Sequence, residues 1–344
     1  MNINKTNVVR FLDLARSIPV IDVRSPSEFN MGHFPGAVNI PLFDDPERVI
    51  VGTKFKKEGR IPAILEGLKL TGPAMSSKLD RALRNMKEGK LVVYCWRGGM
   101  RSEAMAWLFS LGGIETEVLE GGYKAYRQYI LDRISEKRKM IVLGGLTGSS
   151  KTHILRNIKE SGHQVIDLEG LANHQGSAFG SLGQLPQPST EHFTNILFDE
   201  ISQINPALPF WVEDESRNIG SVFMPDTFYE KMQDTPAIIL NMDVKTRLPR
   251  LIEEYSTYSV EALKASIMKI SKRLGGDKTK EAILSVESGD IAKAIEISLY
   301  YYDKAYRFGL TKKHSHNIIY VETDTDNIEM NSSKVLEAAS KINW

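Results

Sequence analysis

The sequence predicts an α/β protein made of two parallel-sheet domains, with a helical segment near the C-terminus. Three observations support this fold class. The chain has 344 residues, which is enough for two hydrophobic cores. Short apolar runs alternate with helical patterns, as in sheets whose strands are all parallel. Two glycine-rich loops, at residues 95–101 and 144–152, each follow an apolar run and precede a helical pattern.

The composition is that of an ordinary globular protein. Hydrophobic residues make up 42% of the chain and charged residues 25%, which excludes disorder of the whole chain. The sequence lacks an apolar run long enough to span a membrane, and its N-terminus does not read as a secretory signal. We therefore expect a cytoplasmic protein without a membrane partner. The single cysteine, Cys95, excludes an internal disulfide and agrees with a reducing compartment.

The elements of the N-terminal part follow from its apolar runs. We predict strands at residues 19–23, 91–94 and 116–119 and helices at residues 76–86 and 105–111. Ligands of parallel sheets gather at the carboxyl ends of the strands. Cys95 directly follows one of these strands and is therefore a candidate catalytic residue.

A loop rich in glycine and arginine begins at this cysteine. Its candidate residues for binding an oxyanion are Cys95, Trp96, Arg97, Gly98, Gly99, Met100 and Arg101. Glycines let successive amides point at one anion, and the next helix adds its positive N-terminus. With two arginines, this setting favours the thiolate of Cys95 and suits a small tetrahedral oxyanion. The alternative is a buried structural cysteine, since free thiols are usually buried.

Residues 21–29 and 32–41 resemble the opening signature of a rhodanese domain. The loop at Cys95 is similar to the rhodanese active-site loop, in which a cysteine carries a transferable chalcogen atom. The resemblance implies a rhodanese-like domain over residues 1–136. Four polar residues of the signature are interpreted as a network that braces the Cys95 loop rather than as catalytic groups. They are Asp22, Arg24, Glu28 and His33.

The second glycine-rich loop has the order of a P-loop, with a strand at residues 140–143 and a helix from His153. Its predicted diphosphate-binding residues are Gly145, Thr147, Gly148, Ser149, Ser150, Lys151 and Thr152. Backbone amides would wrap the phosphates, Lys151 would reach a terminal phosphate, and Thr152 would hold a metal or a phosphate oxygen. Ser150 replaces the usual glycine, which predicts a tighter or differently shaped loop. Residues 137–344 are thus expected to form a P-loop NTPase-like α/β domain, the alternative being a chance Gly/Ser turn.

Polar residues follow other predicted strands of the second domain. Strands are expected at residues 164–168 and 209–212, and charged residues follow the second of them. The candidate residues of this polar site are Asp214, Glu215 and Arg217, with His174 and Ser177 from a loop between the strands. Carboxylates beside a P-loop can hold Mg²⁺ or orient a group on the phosphates, and Arg217 would neutralise leaving-group charge. A polar strand exit and a plain connecting loop are the alternatives.

The C-terminal segment, residues 245–314, combines a helical pattern with basic character. It contains 14 Lys and Arg against 9 Asp and Glu, whereas the whole chain has a net charge of +1. Tyrosines interleaved with basic residues can stack on bases and pair with phosphates. The candidate nucleic-acid contacts are Arg273, Tyr302, Lys304 and Arg307. Tyrosines packed in a core and a solvated basic surface are the alternatives, and a final strand is expected at residues 317–322.

The two domains in this order resemble the tRNA 2-selenouridine synthase family over nearly the whole chain. The resemblance rests on the Cys95 loop, the Lys151 loop and residues 212–217. It implies S-geranylation of wobble 2-thiouridine in a tRNA anticodon loop with geranyl diphosphate, followed by replacement of the geranylthio group by selenium from selenophosphate. Cys95 is then required for the selenium step as a selenium carrier. The resemblance further implies no tightly bound cofactor, Mg²⁺ as a candidate ligand, and the selenophosphate-producing enzyme as a candidate partner.

Other functions stay open on the sequence alone. The chain departs from the family at Ser150 and at Gln175, where an arginine is usual. A rhodanese-type sulfurtransferase with a regulatory P-loop domain predicts sulfur transfer to cyanide or a small thiol. A P-loop kinase with a rhodanese-like sensor predicts ATP turnover independent of Cys95. A non-catalytic tRNA-binding module predicts binding without chemistry.

Overall fold

The structure is a computed structural model that describes residues 3–134, 136–311 and 318–344. These residues form two compact units. The N-terminal unit comprises residues 3–134 and 194–199, and the C-terminal unit comprises the rest. Within the described ranges, none of the helices has the length and apolar character needed to cross a bilayer.

Residues 3–134 contain a five-stranded sheet in which neighbouring strands are parallel. The strands are β1 (Asn4–Thr6), β2 (Val20–Asp22), β3 (Val38–Asn39), β4 (Lys90–Tyr94) and β5 (Glu115–Leu119). Their order across the sheet is β1-β5-β4-β2-β3. Residues 91–94 of β4 are buried, as expected for a strand covered on both faces. The carboxyl end of β4, where Cys95 lies, is therefore at the centre of the sheet.

Helices cover both faces of this sheet. They are α1 (Val8–Ala15), α2 (Pro26–Met31), α3 (Asp45–Glu58), α4 (Arg60–Thr71), α5 (Met75–Asn85), α6 (Met100–Leu111) and α7 (Gly122–Arg133), with a 3₁₀ turn at Gly72–Ala74. Helix α6 begins at Met100 rather than at residue 105, and its Met105 and Phe109 pack on Val93 of the sheet. Helices α3 and α4 are not among the predicted elements. None of the residues of α3 is buried, so it has no apolar stripe that would reveal it.

The C-terminal unit contains a second parallel sheet. The strands of this unit are β6 (Met140–Gly145), β7 (Gln164–Val165), β8 (Phe210–Glu213), β9 (Asn218–Ile219), β10 (Val222–Phe223), β11 (Ala237–Met242) and β12 (Ile318–Thr323). Strands β9 and β10 form a separate antiparallel pair, and the others are ordered β12-β11-β6-β8-β7. Strand β6, which leads into the P-loop, lies between β8 and the unpredicted strand β11.

The helices of the remaining chain are α8 (Lys151–Glu160), α9 (Leu168–Ala172), α10 (Thr190–Gln203), α11 (Asp226–Gln233), α12 (Val244–Tyr255), α13 (Val260–Leu274), α14 (Gly276–Glu287), α15 (Ile291–Leu310) and α16 (Ile328–Ala339). The predicted α/β class is confirmed, with the helical segment forming α12 to α15 up to residue 311. Residues 312–314 of that segment and residue 317 of the predicted last strand lie outside the described residues.

One predicted strand is partly wrong. The strand expected at residues 164–168 ends at Val165. Asp167 instead caps α9, because its carboxylate accepts a hydrogen bond from the Gly170 amide at 2.8 Å. The apolar residues on either side of Asp167 are therefore divided between a short strand and a helix.

Candidate active sites

The Cys95 loop lies at the carboxyl end of β4. Cys95 is buried, and its Sγ is 3.3 Å from the hydroxyl oxygen of Ser102. Gly98 has a φ of +63°, and a Cβ atom there would lie 2.3 Å from the Leu119 carbonyl oxygen. Since a side chain cannot be accommodated at that distance, the tight curl of the loop depends on this glycine.

The predicted residues around Cys95 differ in exposure and pairing. Trp96, Arg97 and Met100 are exposed. Arg101 instead forms an ion pair with Glu28, with its Nη1 2.7 Å from Oε2. Burial is the largest single influence on Glu28 and works against its ionisation, but the hydrogen bond and charge of Arg101, with the Ser25 amide and Arg48, together outweigh it and lower the pKa of the carboxyl. One of the two charges expected to face an anion is thus largely compensated.

The residues interpreted as bracing the loop form two groups. The first is an ion pair between Asp22 and Arg24, whose carboxylate and guanidinium approach to 2.6 Å in the core. Burial is the largest single influence and disfavours the charged guanidinium, but the hydrogen bonds to Asp22 and the charge of Asp22 together outweigh it and raise the pKa of Arg24. The Arg24 guanidinium also lies 3.8 Å from the ring centre of Tyr123. In the second group, Glu28 binds Arg101 of the loop itself.

His33, the fourth of these residues, contacts Phe29 of α2. Its ring stacks on Phe29, with ring centres 3.7 Å apart, and its Nδ1 donates to the Phe29 carbonyl oxygen at 2.9 Å. Burial lowers the pKa of His33. These contacts hold His33 against α2.

The P-loop connects β6 to α8. Ser150 has a φ of +62° and a ψ of +23°, the left-handed conformation that is least costly for glycine. Its Oγ donates a hydrogen bond to Oδ1 of Asp326 at 2.7 Å. The serine therefore adopts a glycine-like conformation, and a side-chain contact offsets part of the strain.

Two residues from the helical segment hold the P-loop backbone. The Gly145 amide donates to the hydroxyl of Tyr306 at 2.9 Å. The Arg247 guanidinium donates to the Thr147 carbonyl oxygen at 2.7 Å and pairs with Asp303 at 2.6 Å. Arg247 and Tyr306 belong to α12 and α15, so part of the helical segment supports the P-loop backbone.

Three buried carboxylates lie beside the start of α8. They belong to Glu169, Glu213 and Glu215, and their ligand atoms lie within 4.8 Å of one another. Thr152 Oγ1 is 3.2 Å from a carboxylate oxygen of Glu169 and 3.2 Å from one of Glu213. Lys151 Nζ is 3.8 Å from Glu213. The predicted residues Lys151, Thr152 and Glu215 are therefore brought together.

Burial and mutual repulsion act on this carboxylate cluster, formed by Glu169, Glu213 and Glu215. They raise the pKa of Glu169 to about 10 and that of Glu215 to about 8. Hard oxygen ligands in this arrangement, with the Thr152 hydroxyl beside them, fit Mg²⁺, whose charge would relieve the repulsion. Glu169 was not predicted as a site residue. Its position just after β7, next to β8 in the sheet, is the signal that could have found it.

Other predicted polar residues have different partners. Asp214 is buried and accepts a hydrogen bond from the Tyr306 hydroxyl at 2.9 Å, so it supports the loop instead of joining the cluster. Arg217 is exposed and forms an ion pair with Asp226. Its expected role at a leaving group therefore requires that pair to open.

The loop at residues 174–180 covers the carboxylate cluster. A Cβ atom at Gly176 would lie 2.8 Å from both carboxylate oxygens of Glu215. Ser177 Oγ accepts from the Phe179 amide at 3.1 Å, which shapes the loop internally. His174 is buried, and burial lowers the pKa of its imidazole. The loop therefore contacts the carboxylate cluster, and Gly176 is the point of closest approach.

The candidate nucleic-acid residues divide into structural and exposed ones. Tyr302 is partly buried against the helical core, and its hydroxyl accepts a hydrogen bond from the Ala178 amide at 2.9 Å. Arg273 donates to the hydroxyl of Tyr301 at 3.2 Å. Arg273 on α13 is exposed, as are Lys304 and Arg307 on α15. The tyrosine thus follows the core alternative, while the three exposed cations carry the charge that a polyanion would meet.

The geometry defines a two-domain protein, in which a thiol-bearing α/β domain precedes a P-loop domain. Comparison with protein families agrees, since a family model described as "Rhodanese-like domain" matches residues 6–129. A second model, "tRNA 2-selenouridine synthase AAA domain", matches residues 138–337. The chain belongs to the tRNA 2-selenouridine synthase family, which confirms the resemblance found in the sequence.

Relatives of known name match along most of the chain. A tRNA 2-selenouridine synthase of Nitrosomonas europaea is 34% identical over 86% of this chain and 90% of its own length. One from Shewanella sediminis is 38% identical over 87% of this chain and 90% of its own. A solved tRNA delta(2)-isopentenylpyrophosphate transferase of Staphylococcus epidermidis aligns with 60% of this chain and 99% of its own, with 12% identity and a TM-score of 0.33.

Proposed function

We propose that this protein is a transferase that converts wobble 2-thiouridine in tRNA into 2-selenouridine in two steps. The observation that supports this proposal best is that one chain of this family carries two glycine-rich loops of the kind that bind anions. One loop contains Cys95 and the other contains Lys151. Each loop carries its own reactive or charged group, so each is suited to a different step.

The first step is assigned to the P-loop. The 2-thiouridine sulfur attacks geranyl diphosphate, the allylic C–O bond breaks, and diphosphate leaves with the bonding electrons while the base loses its N3 proton. Charge develops on the diphosphate as this bond breaks, and the loop amides and Lys151 would stabilise it. Mg²⁺ held by Glu169, Glu213 and Glu215 would add a further positive charge there.

The second step is assigned to the Cys95 loop. The selenium of selenophosphate adds to C2 of the base, the C2–S bond breaks, and geranyl thiol leaves with a proton. Water then cleaves the P–Se bond, which gives phosphate and 2-selenouridine. Selenium keeps one oxidation state throughout, so the step requires neither an oxidant nor a reductant.

We assign Cys95 as the proton donor to the departing sulfur, in place of the selenium carrier that the family resemblance implies. The Se–H proton of hydrogen selenophosphate then restores the thiol. Carriage of selenium on Cys95 as a selenosulfide would release phosphite instead of phosphate, and a reductant would then be needed to free the selenium. The phosphorus product therefore distinguishes the two roles of the cysteine.

The test is mass spectrometry of nucleosides from 2-thiouridine tRNA, first with geranyl diphosphate alone and then with selenophosphate. We expect S-geranyl-2-thiouridine, then 2-selenouridine, and phosphate by phosphorus NMR. Cys95→Ala is expected to keep geranylation and lose selenation, while Lys151→Ala loses geranylation. Lys159→Ala, an exposed lysine on the same helix as Lys151, is the control.

Each alternative has its own outcome in this experiment. Equal loss of both steps in Cys95→Ala would refute the division between the two loops. Normal geranylation by Lys151→Ala would show that the P-loop is not the diphosphate site. Unchanged tRNA, together with sulfur transfer to cyanide, would indicate a rhodanese-type sulfurtransferase with a regulatory P-loop domain.

A further inference from the structure

A cavity of about 910 Å³ lies beside the Cys95 loop, and all of its walls belong to the N-terminal unit. Helices α3 and α4 form one side, and the loop with the start of α6 forms the other. The volume lies in the range of pockets that enclose a small organic ligand.

The wall supplied by the two helices is mostly apolar. Val51 and Ile64 line it, together with Phe55 and Leu68, which are 51% and 59% exposed, and Phe43 adds a ring from the segment just before α3. Large apolar side chains left exposed around a cavity are uncommon on a protein that has nothing to bind there. The apolar lining therefore favours a ligand with a hydrocarbon part.

The opposite wall carries the groups of the proposed selenium step. Cys95, Trp96 and Met100 line the same cavity, as does the exposed cation Arg97. A ligand bound there would thus have an apolar part against α3 and α4 and a reacting part beside the thiol. Arg97 would attract an anion next to that reacting part. Three further cations of the lining, Arg48, Lys56 and Arg60, lie on α3 and α4 among the apolar residues.

We propose that this cavity binds the geranyl chain of S-geranyl-2-thiouridine and holds the C2–S bond beside Cys95. The inference rests on the proposed function and adds a prenyl subsite to its second step. When the C2–S bond breaks, the chain leaves the base as geranyl thiol and stays in contact with the apolar wall. The cavity therefore selects the S-geranylated base over a base without the hydrocarbon.

The test uses Leu68→Glu, which places a carboxylate on the apolar wall. Its matched control is Leu65→Glu, because Leu65 lies on the same helix and is 57% exposed but does not line the cavity. Phe55→Ala is a second variant that removes apolar surface without adding charge. All are exposed positions, and circular dichroism and thermal melting verify that each variant is folded.

The substrates are tRNA anticodon stem-loops carrying S-geranyl- or S-methyl-2-thiouridine, supplied with selenophosphate so that the P-loop step is bypassed. We expect Leu68→Glu to lower kcat/KM for the geranyl substrate at least about tenfold, or about 1.4 kcal/mol. Phe55→Ala is expected to lower kcat/KM for the geranyl substrate as well, but by less. The S-methyl substrate is expected to react equally slowly with every variant, and Leu65→Glu to match the unsubstituted protein.

Failure of this inference is distinguishable from failure of the proposed function. If the unsubstituted protein converts the geranyl substrate and Leu68→Glu does so equally well, the prenyl subsite is refuted while the function stands. Equal losses on both substrates would also refute it. If the unsubstituted protein converts neither, the proposed function fails, and titration of S-geranyl-2-thiouridine against tryptophan fluorescence decides the subsite: equal affinity in Leu68→Glu and Leu65→Glu overturns it.

Discussion

Replacement of Ser150 by alanine is expected to destabilise the C-terminal unit, whereas replacement by glycine is expected to change its stability little. Ser150 is held in the left-handed conformation at the start of α8, and its hydroxyl donates to Asp326. The left-handed conformation costs a residue other than glycine about 1–2 kcal/mol. The hydrogen bond contributes about 0.5–1.5 kcal/mol in return.

The two substitutions divide these contributions. Ser150→Ala keeps the backbone strain and loses the hydrogen bond, so the free energy of unfolding falls by about 1 kcal/mol. Ser150→Gly relieves the strain, but it loses the same hydrogen bond and adds the entropy cost of glycine, about 0.5–1 kcal/mol. These changes nearly cancel. We therefore expect the unsubstituted protein and Ser150→Gly to have similar free energies of unfolding, and Ser150→Ala to have the lowest.

Urea denaturation with pulsed hydrogen exchange measures this effect on the unit concerned, because peptides from α8 report on the C-terminal unit alone. Ser161→Ala, at the exposed end of the same helix, is the control for loss of a serine hydroxyl. An alanine variant as stable as the unsubstituted protein would show that the contact with Asp326 contributes nothing. A glycine variant less stable than the alanine one would refute the argument from left-handed strain.

Further predictions concern the carboxylate cluster and the exposed cations of α15. Burial raises the pKa of Glu215 to about 8 and that of Glu169 to about 10 in the folded protein. Their protonation therefore contributes its full free energy of folding below the ordinary carboxyl pKa, and this contribution is lost as pH rises from there to the raised pKa values. Calorimetry without divalent cations is expected to show Tm falling above about pH 5, and added Mg²⁺ to restore it most at high pH; a flat profile would contradict this. For tRNA, we expect Lys304→Ala and Arg307→Ala each to reduce the slope of log affinity against log salt by about 1. The Tyr302 hydroxyl already binds the Ala178 amide, so Tyr302→Phe is expected to leave that slope unchanged. If Tyr302→Phe reduced the slope as much as Lys304→Ala does, the assignment of Lys304 as a phosphate contact would be wrong.

Much of this protein is readable from local sequence. The strand before Cys95, the glycines after it and the strand–loop–helix order around Lys151 are all properties of short segments. Glycine permits the backbone of a tight loop, and an apolar run bounded by such a loop is typical of a parallel strand. The α/β class, the family resemblance and most of the two loops therefore follow without the tertiary structure.

Contacts between distant segments could be decided only by the tertiary structure. Glu169 meets Glu213 because β7 and β8 are neighbours in the sheet, and Ser150 meets Asp326 because the chain returns to the sheet through β12. The order of strands across a sheet cannot be predicted from a local sequence pattern. Helix α3 likewise has no apolar stripe, and the cavity it forms with α4 depends on packing between elements. Local conformation is determined by neighbouring residues, whereas a site assembled from separate elements depends on how the sheets and helices pack.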